Sequence, residues 1–283
     1  MGTALARRLA KLEPTVWNRS RARAEQVGVG QVAANPAAAA SDADIVISSL
    51  TGAEALRSAF GGPEGALAAA HGQLFVEMST SGTAFLEEIE PQLRARGSGI
   101  IDAPILGAPT VVLKGGAAIL VGGATADQDR ARPVLEMLGE VHSVGQLGSG
   151  ARLKLVANSM LAAITLAAAE LQVAGEAAGL DRNQVFWALA RLAPGLETRR
   201  AGYLDRRHEP TLFALQDLLK DLDLALELFG RSTAQAPLTA LVRRLVSEAS
   251  EAAGELDITA VIDRYGLATA AAVTSHARIG SAA

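Results

Sequence analysis

MGTALARRLAKLEPTVWNRS (residues 1–20) decides how the first half of the chain is read. Gly2 opens an amphipathic pattern in which Leu5, Leu9 and Leu12 recur at helical spacing. Pro14 ends that pattern, and the apolar triplet Thr15-Val16-Trp17 follows it. Asn18, Arg19 and Ser20 are polar. The order is helix, turn, strand, polar loop, with no strand ahead of the first helix.

From there to about residue 148, short apolar runs alternate with helical patterns. DIVISSL (44–50), LFVEM (74–78), GIIDAP (99–104) and AAILVGG (117–123) read as buried strands, and VHSVG (141–145) as a weaker one. Helical stretches at 83–97 and 126–139 lie between them. Strands this apolar need cover on both faces, which predicts a mostly parallel sheet flanked by helices. Beyond 148 the strand signal fades. Residues 149–179, 181–193, 212–230 and 236–254 read as helices, with a short one near 257–265. Asp181 is placed to cap the second of these, and Gly230 and Gly254 to end the third and fourth. The expected architecture is an α/β domain over 1–148 followed by an all-helical domain over 149–283.

Composition narrows the function. The chain has 283 residues, 49% of them hydrophobic, and a net charge of -4, with no dense basic block for nucleic acid. Without cysteine, disulfides, thiolate metal sites and a cysteine nucleophile are excluded. The four histidines, 71, 142, 208 and 276, have no metal-binding spacing, so no metal is expected. No signal-peptide run opens the sequence, and the apolar stretch near 160–179 is interrupted by Glu170, Gln172 and Glu176. A cytoplasmic protein, not bound to membrane, is expected.

In a doubly wound dinucleotide-binding sheet the first strand is central. A glycine turn after it opens a helix whose N-terminus meets the pyrophosphate. Here the helix and second strand are present. The sequence therefore reads as a Rossmann-like sheet lacking its first strand, with Gly2 as the last glycine of the turn. A native product that starts upstream is expected; a domain that begins with a helix is the other reading. After the second strand, an acidic residue would bind ribose hydroxyls. Asn18, Arg19 and Ser20 stand there instead and suit a 2′-phosphate, which points to NADP(H). A solvated basic loop is the alternative.

Strand ends in such sheets line the ligand crevice. Ser49, Leu50 and Thr51 follow one strand, and Ser79 and Thr80 another, which makes them cofactor-side candidates; singly, each also reads as an ordinary turn residue. Glu54 and Glu77 read as surface or capping groups. In LGSGARLKLVANSML (147–161), Lys154 and Asn158 share a helix face. Lys154 can protonate a carbonyl oxygen or imine nitrogen as hydride reaches the carbon, and Asn158 can hold the substrate. A lysine that merely covers apolar surface fits the spacing equally well. Lys220 and Asp221 read as a surface ion pair or as a cleft lysine with its partner.

These pieces together resemble the β-hydroxyacid dehydrogenase family, which includes 3-hydroxyisobutyrate dehydrogenases and glyoxylate/succinic semialdehyde reductases, with imine reductases as relatives. The resemblance runs, in order, through MG..LA..L (1–9), WNRS (17–20), MST (78–80), DAPILG (102–107), G...ILVGG (115–123), G.GARLKLVANSM (148–160) and F.L..LLKDLDLAL (213–226). It implies an NADP(H)-dependent oxidoreductase and a homodimer built on the helical domain. It also implies Lys154 as catalytic lysine, Asn158 as substrate-positioning residue and Lys220 near the cofactor. The family's Ser-Gly-Gly substrate loop matches Leu106, Gly107 and Ala108, and leucine cannot donate to a carboxylate. A bulkier or less polar carbonyl or imine substrate is therefore expected. An imine reductase-like enzyme and a non-catalytic dimeric binding protein are the alternatives.

Overall fold

The computed structural model describes residues 1–231 and 235–265; His276 lies outside the described residues. The chain divides into two compact units, Met1–Asn158 and Ser159–Ala283.

In the first unit, α1 (Gly2–Arg8) buries Ala4 and Leu5 and carries no acid to oppose Arg7 and Arg8 in its last turn. A 3₁₀ turn over Ala10–Leu12 ends at Glu13, in left-handed backbone. β1 (Thr15–Val16), α2 (Arg21–Glu25), β2 (Gln31–Val32) and α3 (Pro36–Ala40) follow. The Asn35 side chain caps α3 by accepting the Ala38 N–H, and Pro36 suits the first helical position. The unit continues through β3 (Ile45–Ser48), α4 (Ala53–Phe60), β4 (Leu74–Glu77), α5 (Ala84–Arg94), β5 (Gly99–Asp102), β6 (Ile105–Leu106), α6 (Pro109–Leu113), β7 (Ala117–Gly122), α7 (Thr125–Leu135) and β8 (Gly139–Gly145). The sequence pattern did not reveal the two-residue strands β2 and β6, which are too short to display a period.

β3, β4 and β5 run parallel in register, with Ser48, Glu77 and Asp102 in one row at their C-terminal ends. β7 is antiparallel to β5 and β6 and parallel to β8, so the expected mostly parallel sheet carries an antiparallel insertion. β1 and β2 form a separate parallel pair. All four residues of β4 and of β5 are buried, whereas the equally apolar β3 is half-buried throughout. The reason is topological: β3 pairs with β4 on one edge and with no strand on the other among the described residues. In a doubly wound order, the strand that would join β1 to β3 is the first one.

Period-two alternation divides the core between the two faces of the sheet. Leu74, Val76 and Ile101 pack with Leu5, Leu9 and Leu135. Phe75 and Ile100 pack with Leu56, Phe60, Phe85 and Leu86. Phe60 meets Phe85 edge to face at 5.1 Å.

α8 (Ser149–Ala177) begins in the first unit and runs into the second. There it is joined by α9 (Arg182–Leu192), α10 (Arg200–Asp205), α11 (Leu215–Gly230), α12 (Pro237–Ala253) and a 3₁₀ segment, Ile258–Tyr265. Asp181 caps α9 as its side chain accepts from the Asn183 and Gln184 N–H groups. The core gathers Leu166, Phe186, Tyr203, Leu218, Leu222 and Val246. One expectation is corrected: α8 is long and apolar enough to cross a membrane, with mean hydropathy 1.4 over its best window. The three polar residues thought to exclude this lie in its last third and leave the apolar part intact. Ala162, Leu166, Ala169 and Val173 of α8 are buried in the helical core.

Candidate active site

The loops after β3 and β4 are joined by hydrogen bonds. Ser79, buried, accepts the Leu50 N–H on its hydroxyl at 2.9 Å. Ser49 and Leu50 are half-buried, Thr51 is exposed and Thr80 is half-buried. Five residues assigned to the cofactor from sequence are thus in neighbouring loops at the C-terminal ends of parallel strands, where such sheets bind ligands.

Glu77 is the residue that sequence reasoning misplaced. It is 1% exposed, and no surface or capping role is open to it. Its carboxyl accepts the Ser79 N–H at 2.7 Å, with longer contacts from the Ser81 and Ser48 hydroxyls, both 3.4 Å. Burial pushes its pKa up to about 7; the hydrogen bonds from Ser79 and Ser81 counter this, and Asp102 adds to it. Asp102, also missed, is fully buried. Its oxygens accept the Gly148 N–H at 2.7 Å and the Ala151 N–H at 2.6 Å, so an acid closes the start of α8. Burial raises its pKa as well, against the effect of those two bonds. The signal available in the sequence was an acid ending the apolar strands β4 and β5, followed two residues on by serine or proline.

α8 can begin here only because Gly150 has no side chain: a Cβ would stand 2.2 Å from the Leu120 carbonyl oxygen. One turn on, Lys154 is half-buried, and its Nζ donates to the Ile105 carbonyl at 2.7 Å. That bond sets the ammonium beside the Leu106-Gly107-Ala108 loop. Leu106 is half-buried, Gly107 has φ 152° and Ala108 precedes α6 as its N-cap. Asn158, a turn beyond Lys154, is buried. The lysine thus bonds the residue just before Leu106, across a 49-residue separation. A half-buried ammonium at this position can hold and protonate an oxygen that gains negative charge.

In the loop after β1, Arg19 and Ser20 are exposed. The Asn18 side-chain oxygen accepts the Ser20 N–H at 2.9 Å, and its amide N–H groups can donate to a ligand. Arg21 is taken up by Glu25 at 2.9 Å. No acid stands between Trp17 and Ala24, so the donor set fits a phosphate on an adenine ribose. Gly2 lies at the start of α1, where an added Cβ would meet only the Ser49 carbonyl oxygen, at 3.8 Å. Gly2 thus adjoins the Ser49 loop. Lys220 lies on α11 in the second unit. Its Nζ pairs with Asp221 Oδ1 at 2.6 Å, and because Asp221 is buried this is no ordinary surface pair.

Comparison with known proteins bears on the same regions. Residues 1–148 match the NAD binding domain of 6-phosphogluconate dehydrogenase. Residues 148–265 match the NAD-binding family of NADP-dependent 3-hydroxyisobutyrate dehydrogenase. A Mycobacterium bovis protein named "Probable 3-hydroxyisobutyrate dehydrogenase" is 30% identical, over 79% of this chain and 79% of its own. The structure of the Mycobacterium tuberculosis 3-hydroxyisobutyrate dehydrogenase with L-serine superposes with a TM-score of 0.78 at 25% identity, covering 94% of this chain and 96% of that one. The imine reductase from Myxococcus stipitatus in complex with NADP+ shares the fold at a TM-score of 0.59 and 21% identity, covering 94% and 96%. A Rossmann-like domain followed by an all-helical one agrees with these matches. The chain belongs to the 3-hydroxyisobutyrate dehydrogenase-like family of NAD(P)-dependent oxidoreductases, which transfer a hydride to or from a carbonyl or hydroxy-acid-like substrate.

Proposed function

We propose that this protein is an NADP(H)-dependent reductase or dehydrogenase of carbonyl compounds in which Lys154 is the proton donor. The observation that carries the reading is the 2.7 Å bond from Lys154 Nζ to the Ile105 carbonyl, which holds the ammonium beside the substrate loop. The nicotinamide supplies or receives the hydride. Lys154 protonates the carbonyl oxygen in reduction and accepts that proton in oxidation, and Asn158 orients the oxygen from the next turn of α8. Arg19, with Ser20 and the Asn18 amide, binds the 2′-phosphate; Gly2, Ser49, Leu50, Thr51, Ser79 and Thr80 flank the rest of the cofactor. Lys220 has the cofactor role implied by the family resemblance.

Leu106 shapes the substrate class. An isobutyl side chain stands where a hydroxyl would bind a carboxylate, which favours an aldehyde or ketone with an apolar substituent over a small hydroxy acid. Residues 1–148 form the cofactor domain in this reading, and 149–283 the substrate and dimerisation domain. A homodimer is supported by Leu153, Val156, Met160 and Leu171, an exposed apolar stripe along α8. Met160→Arg would then shift sedimentation towards monomer. A cytoplasmic location is inferred from the absence of cysteine.

The deciding experiment is NADPH oxidation with a panel of aldehydes, keto acids and cyclic imines, beside titration of NADPH and NADH by fluorescence. Turnover of apolar aldehydes with NADPH supports the proposal. Turnover confined to imines, or cofactor binding without turnover of any of them, overturns it.

A further inference from the structure

Glu77 is a buried acid that no step of the proposed reaction uses. A carboxyl group this deep is costly unless its oxygens are bonded, and its bonds run in one direction. Oε1 takes the Ser79 N–H at 2.7 Å and the Ser48 hydroxyl at 3.4 Å, and Oε2 takes the Ser81 hydroxyl at 3.4 Å. Ser79 in turn accepts the Leu50 N–H. One side chain thus ties together the end of β3 and the loops after β3 and β4. The charged group that faces it is Asp102, its register partner on β5, and the two acids divide the work. Asp102 fixes the start of α8, on which Lys154 rides, and Glu77 fixes the loops at the strand ends.

We propose that Glu77 is a positioning residue for hydride transfer, its carboxyl group holding the loops after β3 and β4 in the arrangement that receives the cofactor. This rests on the reading above that those loops flank the cofactor. An ionised carboxylate accepts from all three donors; once protonated, one oxygen becomes a donor and a serine hydroxyl must turn away. The loops are therefore held more firmly above about pH 7 than below it, since burial sets the titration of Glu77 there.

The test compares the wild type with Glu77→Gln and Glu77→Leu in NADPH affinity, KM and kcat from pH 5.5 to 8.5. Melting temperature is recorded for each. In the wild type, KM for NADPH is expected to rise several-fold as pH falls through about 7. Glu77→Gln, which cannot ionise, is expected to lose that inflection and keep KM near the wild-type acid value at every pH. Glu77→Leu is expected to raise KM about tenfold with a smaller change in kcat. Should the leucine variant not fold, the glutamine variant decides. An unaltered inflection in Glu77→Gln overturns the proposal. Thr80→Ala separates the two levels. If it leaves NADPH affinity unchanged, the cofactor reading of these loops fails. If it weakens NADPH while Glu77→Gln behaves as wild type, only the assignment of Glu77 fails.

Discussion

Lys154 Nζ donates to the Ile105 carbonyl oxygen at 2.7 Å, across 49 residues of sequence. The bond joins the first turns of α8 to β6, and it gives the ammonium one fixed position. In an acid catalyst, position matters as much as acidity, because the proton must lie within hydrogen-bond reach of the oxygen it will join.

Lys154→Ala should lower kcat by roughly 10²-fold or more, the usual scale for a positioned acid. Lys154→Arg should restore the charge and much of the cofactor affinity but little turnover, since a guanidinium holds its proton at all working pH values. Steady-state kinetics with NADPH checks both, and turnover of the alanine variant within about twofold of wild type would remove Lys154 from the mechanism.

Arg19→Ala should weaken NADPH by roughly tenfold or more and leave NADH nearly unchanged, as expected for the loss of one charge-assisted pair to phosphate. Calorimetry with the two cofactors reads this directly. Equal weakening of both would place Arg19 outside the phosphate site.

Leu106→Ser should move substrate preference towards carboxylate-bearing carbonyls, because it returns a donor to the substrate loop. A change of about tenfold in the ratio of kcat/KM between a keto acid or semialdehyde and an apolar aldehyde is expected, near the value of one hydrogen bond to a charged group. An unchanged ratio would show that the loop does not contact the substrate.

Glu77 also makes stability depend on pH. Its pKa is about 7 in the folded state against 4.5 when solvated, so between these values the folded protein binds more proton than the unfolded chain. Its effect on stability is then most favourable below about 4.5, declines up to about 7 and is level above. The loss amounts to about 3 kcal/mol. Asp102 is shifted in the same direction. Urea denaturation at pH 5.5 and 8 should show a larger fall in stability for the wild type than for Glu77→Gln, and equal falls would contradict the buried titration.

Gly150→Ala should destabilise the first unit by at least 1–3 kcal/mol, the range for forcing added volume into packed structure. The Cβ would meet backbone, the Leu120 carbonyl at 2.2 Å, and backbone cannot turn aside as a side chain can. Thermal melting would expose an error here, as a variant with unchanged stability would mean that α8 starts elsewhere.

The sequence by itself determined the division into a strand-rich half and a helical half. Runs such as LFVEM and GIIDAP and the long pattern at 149–179 carry their period locally. It also drew attention to Lys154, Arg19 and the Leu106 loop as candidates, because each is a residue type out of keeping with its neighbours or with a familiar pattern. It could not supply the two-residue strands β2 and β6, nor the reversed direction of β7, which depend on pairing between distant segments. It misjudged Glu77 for the same reason. Whether an acid at a strand end faces water or the interior depends on what the rest of the chain places over it. Here β3 and β5 lie alongside β4, and the Ser79–Ser81 segment supplies donors to the carboxyl. Burial and hydrogen-bond partners belong to the assembled fold, and so do the proton affinity of Glu77 and the contact of Lys154 with Ile105.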